Sequence, residues 1–312
     1  MALRLTVQRA AWESHIDSVA SVVDGLVPVV KGNGYGFGRA ALHPLIKGLS
    51  DFVCVGTVYE LDGVADRVTA VVLTPTLVPP RSPQVVLTVG SVGDVAALAG
   101  WHGRVIIKLQ SSMRRYGATP AELHSVVAAA RGAAFGIIGY ALHLPLAGTD
   151  GERMAEVDAW LEHLDPHQPL WLSHLQPQSY NALRAAHPDR QFRLRLGTAL
   201  WLGDKSFMHL HAEVLAVHPV RAGDRAGYQL TEIGDDGHLV LISAGSAHGV
   251  AALPNGSSPF HFARTRLALL EPPHMHTSMA LVPAGTPLPS VGDRVDVQRP
   301  LITTMVDEVE WV

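Results

Sequence analysis

The sequence predicts an α/β protein: a TIM (β/α)8 barrel over residues 1–210, followed by a smaller, mostly β domain over 211–312. Three observations carry that prediction. Short apolar runs alternate with helical stretches from residue 26 onward, eight such runs fall before residue 201, and the helical pattern stops after about residue 211.

The eight runs are Leu26–Lys31, Phe52–Val58, Ala70–Thr76, Val85–Ser91, Arg104–Gln110, Gly136–His143, Pro169–Leu175 and Phe192–Leu200. Each is rich in Val, Ile and Leu over a handful of residues, which marks a strand buried on both faces. Between them, Ser91 caps a predicted helix over Val92–Ala99, and Thr119 with Pro120 opens Ala121–Arg131. Over Glu152–Leu164, apolar side chains at Met154, Val157, Trp160, Leu161 and Leu164 keep helical spacing, and Ser179–Ala186 reads as another short helix. So many strands with crossovers favour a closed barrel over an open doubly wound sheet, which commonly has fewer. The later runs, Glu213–Val220, His238–Ser243, Arg264–Leu270, Met279–Val282 and Arg294–Val297, are separated by Gly, Asp and Pro turns and predict the β domain.

With 312 residues, 47% of them hydrophobic, the chain can bury a sizeable core. A net charge of -4 without a basic run argues against a nucleic-acid surface. No apolar stretch reaches membrane-spanning length, and Met1-Ala2-Leu3-Arg4 does not begin an export signal, so a soluble cytoplasmic protein is expected. Cys54 is the one cysteine, which leaves no internal disulfide and no cysteine-cluster metal site.

Only four of the 24 basic residues are lysines, and one of them, Lys31, ends an apolar run before a glycine-rich loop, Gly32-Asn33-Gly34-Tyr35-Gly36-Phe37-Gly38. Desolvation lowers an ammonium pKa, and a neutral amine can form a Schiff base with a carbonyl. A lysine that merely closes its strand and reaches to water is the simpler reading of the same residue. Barrel enzymes carry their chemistry at the C-terminal ends of the strands. There this chain has Lys31, Lys108 with Gln110, His143, Ser173 with His174, and Arg195.

These residues resemble the alanine racemase family, whose members bind pyridoxal 5′-phosphate (PLP) on a fold type III barrel followed by a β domain. Lys31–Gly38 is similar to the family's Schiff-base motif, with glycines where alanines are usual. The resemblance implies that Lys31 carries PLP and acts as one of two bases, and that Tyr35 hydrogen-bonds the phosphate. Lys108–Gly117 resembles Lys-x-Asp-Thr-Gly-Met-x-Arg-x-Gly. It implies a supporting, often carbamylated lysine at Lys108 and, at Arg115, an arginine near the cofactor's phenolic oxygen and the substrate. His143 falls where a histidine packs on the pyridine ring, and Ser179 matches a phosphate-binding serine, with Gln178 in place of an asparagine. Arg195–Gly203 resembles Arg-Pro-Gly-x-x-Leu-Tyr-Gly, which implies that Arg195 faces the pyridine nitrogen and that the amides of Gly197 and Thr198 reach the phosphate. Taken singly, His143 reads as a strand-end histidine, Ser179 as a helix N-cap and Arg115 as a solvated charge.

The pattern breaks in the second domain. The family draws its opposite base, a tyrosine in Gly-Tyr-Ala-Asp-Gly, from the partner subunit; this chain has Gly245-Ser246-Ala247-His248-Gly249. The family's Met-Asp at the substrate carboxylate stands here as Met275-His276, and residues 300–312 do not match the family's C-terminal arginine and tyrosine pattern. Racemisation needs a base on each face of the substrate's α-carbon. His248 and His276 are the candidate substitutes, because an imidazole titrates near neutral pH. The resemblance thus implies a head-to-tail homodimeric isomerase acting on an amino acid. The alternatives are one-face α-proton chemistry, decarboxylation, or a PLP-binding protein with little catalysis. Decarboxylases of the same fold type commonly have a glutamate at the ring nitrogen and a cysteine in the second domain, which Arg195 and the position of Cys54 do not match. His274-x-His276 supplies half of a metal site without a third ligand, so no metal is expected.

Overall fold

A computed structural model describes residues 2–65, 68–82 and 84–312. The chain opens on β1 (Leu3–Val7) and α1 (Arg9–Val22). Then follow β2 (Leu26–Pro28), α2 (Arg39–Leu49), β3 (Phe52–Val55), β4 (Thr69–Val72), β5 (Val86–Val89), α3 (Val92–Ala97) and β6 (Arg104–Leu109). They are succeeded by α4 (Pro120–Gly132), β7 (Gly136–Leu142), α5 (Asp150–Leu161), β8 (Leu170–Ser173), α6 (Pro177–Ala186), β9 (Phe192–Leu196) and α7 (Thr198–Trp201).

Strands β2 to β9 form one eight-stranded parallel sheet in the order β2-β9-β8-β7-β6-β5-β4-β3. Its two ends meet: Val29 bridges Cys54 in parallel, and the Val30 N–H donates to the Cys54 carbonyl at 2.8 Å. The sheet is therefore a closed barrel, as expected from the eight runs. Its core includes Val27 and Val29, Cys54, Val71, Val86, Ile106, Ala141 and Trp171, drawn from seven successive strands. Because side chains alternate along a strand, these positions fix which residues of each strand point inward.

The helices start where their punctuation indicated, with one exception. The Ser91 hydroxyl accepts from the Asp94 N–H at 3.0 Å, and Thr119 caps α4 in a capping box with Glu122. Ser179 is not a cap: α6 begins earlier, with Gln176 as N-cap and Pro177 in its first turn. Proline's fixed φ and missing N–H suit that first turn, so Ser179 is the third residue of the helix and lies within its first turn. The helix expected over 152–164 runs from 150 to 161 instead, opened by the Thr149–Glu152 capping box. Most barrel strands are shorter than their apolar runs, because the runs continue into buried loop residues such as Val30 and Leu175.

The remaining strands are β10 (Met208–Val220), β11 (Arg225–Ala226), β12 (Thr231–Glu232), β13 (Gly237–Ile242), β14 (Phe260–Phe262), β15 (Thr265–Arg266), β16 (Ala268–Leu269), β17 (Ser278–Pro283), β18 (Arg294–Val297) and β19 (Glu308–Trp311). The run expected over 264–270 is two short strands, β15 and β16, in different parts of the sheet. The long β10 pairs with β13 and β18, and β13 pairs with β17. The sheet buries Val214, Val240, Ile242, Phe260, Ala280 and Val295.

Two compact units result. One comprises His15–Gly34 and Arg39–Gly203; the other comprises Met1–Ser14, Tyr35–Gly38 and Asp204–Val312. The N-terminal strand, inside the span read as barrel, thus belongs with the β unit: β1 pairs antiparallel with β10 and parallel with β19. Residue 210, where the domains were divided, falls within β10.

Candidate active site

Continuing the inward alternation past the apolar layer places polar groups at the C-terminal ends of several barrel strands. Two residues beyond Val29, Ile106, Ala141 and Trp171 stand Lys31, Lys108, His143 and Ser173. On β9, Arg193 lies over the rings of Phe52 and Trp171, and Arg195 follows two residues later.

Arg195 is buried. Its NH2 group donates to the Leu142 carbonyl at 2.7 Å and its Nε to the Leu172 carbonyl at 3.3 Å. The guanidinium is thereby held across the ends of β7 and β8. Lys108, also buried, has its pKa held well below the usual lysine value by desolvation, then by the charges of Arg195 and Arg115. Lys31 remains solvent-accessible, yet its ammonium is lowered too, first by desolvation and then by Arg115 and Arg195. Arg115 lies on the exposed loop after β6, where its NH2 donates to the Tyr116 hydroxyl at 3.1 Å and its guanidinium stacks on that ring.

His143 is pushed down to about 2, chiefly by burial and then by Arg195, Lys108, His174 and Arg115. It is therefore a neutral imidazole, with Nδ1 2.9 Å from the Ser173 hydroxyl and its ring edge-on to His174. His174 Nδ1 donates to the Leu144 carbonyl at 2.7 Å. Lys31, Lys108, Arg115, His143 and Arg195 thus form one electrostatically coupled cluster.

Sequence reasoning did not single out Glu60. Its carboxylate accepts the N–H of Gly32 at 3.0 Å and that of Gly56 at 2.7 Å, and it is the one carboxylate among the leading influences on Lys31. Arg39 donates to the Gly32 carbonyl at 2.9 Å, so Gly32, next to Lys31, is held at both its N–H and its carbonyl. No sequence periodicity announces Glu60, because it sits in a short turn rather than in a strand.

The other candidates are not among the leading electrostatic influences on that cluster. The Ser179 hydroxyl is engaged by the Asp150 carboxylate. Gly197 is the N-cap of α7 and Thr198 its first residue, at a helix start, where early amides lack intrahelical acceptors. Tyr35 is buried within the β unit, with φ 58°.

In that same unit, the Ser246 N–H donates to the His274 carbonyl at 2.7 Å and the Ala247 N–H to that of Met275 at 2.9 Å. The 245–249 turn is therefore tied to the segment before β17 that carries Met275 and His276. Both ring nitrogens of His248 are engaged: Nδ1 accepts from the Gly245 N–H at 3.1 Å, and Nε2 faces the Asp307 carboxylate at 3.2 Å. Ser246, Met275 and His276 are exposed. His274 is tied to the buried Glu271 carboxylate. Among the described residues, no group of three or more His, Cys, Asp or Glu could hold a metal ion.

A family model described as alanine racemase, N-terminal domain, matches residues 7–204. The chain belongs to the alanine racemase family. No curated protein matches it. Solved alanine racemases share its fold at low identity. That from Acinetobacter baumannii is 16% identical with a TM-score of 0.71, covering 100% of this chain and 99% of its own. That from Bacillus anthracis, solved with bound L-Ala-P, is 18% identical with a TM-score of 0.75, covering 95% and 85%. That from Bartonella henselae, solved with covalently bound pyridoxal phosphate, is 18% identical with a TM-score of 0.72, covering 96% and 91%.

The alanine racemase fold type agrees with the donor set on this barrel. Two arginines and two lysines converge, with Glu60 the one carboxylate among their leading electrostatic influences. The guanidinium groups of Arg115 and Arg195 suit a ligand carrying a phosphate and a phenolate, and Lys31 offers an amine of depressed pKa for its aldehyde. The residues present fit PLP.

Proposed function

We propose that this chain carries PLP covalently on Lys31 and performs α-proton chemistry on an amino acid, with racemisation or epimerisation as the leading reaction. The supporting observation is the lowered Lys31 amine beside Arg115 and Arg195. Bound PLP would withdraw electrons from the substrate and make its α-hydrogen acidic.

In this reading Lys31 holds the cofactor and moves a proton at one face of the α-carbon. Arg195 would face the ring nitrogen, where its permanent charge would disfavour protonation of that nitrogen. Neutral His143 would pack on the ring. Arg115 serves the phenolic oxygen and the substrate, with Lys108 as its support. Tyr35, Ser179 and the amides of Gly197 and Thr198 bind the phosphate, as helix-start amides bind anions elsewhere. Met275 borders the substrate. The proposed assembly is a head-to-tail homodimer, which light scattering of the purified chain tests.

The opposite face is where this chain departs from the family. Serine at position 246 is shorter and far less acidic than tyrosine. Of the two substitute bases, His276 is exposed, whereas both nitrogens of His248 already have partners. The serine also favours a second reading, proton exchange at one face through Lys31 alone.

The cofactor half is tested by reconstitution with PLP. The wild type should develop the visible band of lysine-bound pyridoxal, and Lys31→Ala should lack it. A colourless wild type overturns the proposal. The reaction half is tested by Cα deuterium exchange in heavy water with chiral analysis over a panel of amino acids. Exchange with inversion supports racemisation, exchange with retention supports one-face chemistry, and absence of exchange leaves PLP binding alone.

A further inference from the structure

We propose that the C-terminal strand acts as the buttress of the phosphate-binding loop, with Trp311 as the positioning residue for Tyr35. The inference rests on the reading that Tyr35 contacts the PLP phosphate.

The loop needs such a support. Gly34, Tyr35, Gly36 and Gly38 all have positive φ, so no regular backbone ladder defines its shape. Tyr35 at φ 58° is in a region costly for any residue with a β-carbon, and it persists only where surrounding packing holds it.

That packing comes from the end of the chain. Phe37 stacks on Trp311, with centroids 6.1 Å apart and planes at 14°. Trp12 fills the angle between them, 4.8 Å from Phe37 and 5.1 Å from Trp311. Arg9 covers Trp311 from another side at 4.9 Å. On the same loop, Gly36 approaches Leu301 so closely that a β-carbon would stand 2.9 Å from the leucine's own. Phe37, Trp12 and Tyr35 are buried.

Trp311 is itself fixed. β19 pairs with β1 in register, with Val7 opposite Trp311. The Arg9 N–H donates to the Val312 carbonyl at 2.8 Å, and the Val312 N–H to the Val7 carbonyl at 2.9 Å. Glu308 pairs with Arg4 at 2.7 Å and Glu310 with Arg294 at 3.1 Å. β19, paired along β1 and pinned by these ion pairs, thus presents an aromatic wall to Phe37, two residues beyond Tyr35. The segment 300–312, where the family's C-terminal pattern is missing, carries a role of its own here.

The test compares PLP with pyridoxal, which lacks the phosphate, by titrating the apo form of the full chain with each. Trp311→Ala should lose about tenfold in PLP affinity, on the scale of two lost aromatic contacts, with little change for pyridoxal. Trp311→Phe should restore most of it. Trp311→Ala combined with Tyr35→Phe should lose no more than Tyr35→Phe alone. Equal losses for both ligands, or an unchanged PLP affinity in a folded Trp311→Ala protein, overturn the proposal.

Should Trp311→Ala fail to fold, Gly36→Ala displaces the loop from the Leu301 side and keeps every aromatic. The same phosphate-selective loss is expected, and wild-type affinity for both ligands overturns the buttress. A wild type that binds neither ligand instead overturns the Lys31 reading. A Tyr35→Phe protein that binds PLP as well as the wild type overturns the phosphate role of Tyr35.

Discussion

The Ser173 hydroxyl lies 2.9 Å from Nδ1 of His143, at the ends of adjacent strands and beside the buried Arg195. His143 therefore stays neutral in the fold, near 2, while in the unfolded chain it titrates near ~6.5. Below that value the unfolded state binds a proton that the native state lacks, so stability is full above pH ~6.5 and falls as the pH drops. His143→Gln should flatten the pH dependence of thermal stability between pH 6.5 and 5, where one such group contributes a slope of at most about 1.4 kcal/mol per pH unit. Melting curves across that range check it.

Lys31 should be the most reactive accessible lysine of the apo protein. Lys47 and Lys205 are exposed, but it is Lys31 whose amine is lowered by desolvation with Arg115 and Arg195. Limited acylation at neutral pH followed by peptide mapping should label Lys31 first. Arg115→Gln removes the second cause of the shift and should move the onset of labelling to higher pH.

Lys108 carries a stability cost that its proposed role explains. Burial lowers the Lys108 amine in the fold, so the unfolded chain binds that proton more tightly and native stability rises with pH toward ~10.4. Lys108→Met should therefore melt about 3 °C or more above the wild type at pH 7, and the gap should close toward pH 10. PLP affinity should fall in the same variant, which titration of both proteins measures.

Gly117 ends the loop that presents Arg115. At φ +127° a β-carbon would stand 2.5 Å from the Leu109 carbonyl carbon. Gly117→Ala should cost about 2 kcal/mol or more, read from denaturant midpoints. The displaced loop should also weaken the Arg115 effect on Lys31 labelling.

Ser246 is exposed on a turn held by backbone hydrogen bonds, so a larger side chain can be installed there without entering the core. Ser246→Tyr should raise exchange with inversion over exchange with retention in heavy water. An unchanged ratio in a folded, PLP-loaded variant counts against the serine as the cause of altered chemistry.

The barrel was legible because each strand is buried on both faces, so its apolar run needs no context to be recognised. The inward set was legible in part: Lys31, Lys108, His143 and Arg195 stand at run ends. Ser173 and His174 were visible there as polar residues, but their link to His143 and Leu144 comes from neighbouring strands. Glu60 was hidden because a turn carboxylate looks like any other until the Gly32 and Gly56 amides are seen to converge on it. The strands β1 and β19 were missed because short polar-apolar alternation at chain ends is weak until a partner strand is supplied.

The sequence by itself determined the barrel, the order of the motifs and the lysine at the head of the glycine loop. These follow from local composition and spacing, which the chain carries wherever it folds. Tertiary structure alone decided what each charged group experiences. The lowered amines of Lys31 and Lys108, the neutral His143, the engaged ring of His248 and the wall that Trp311 sets against Phe37 all arise between residues far apart in the chain. Desolvation, Coulomb interaction and packing depend on distance in space, and no linear pattern records that.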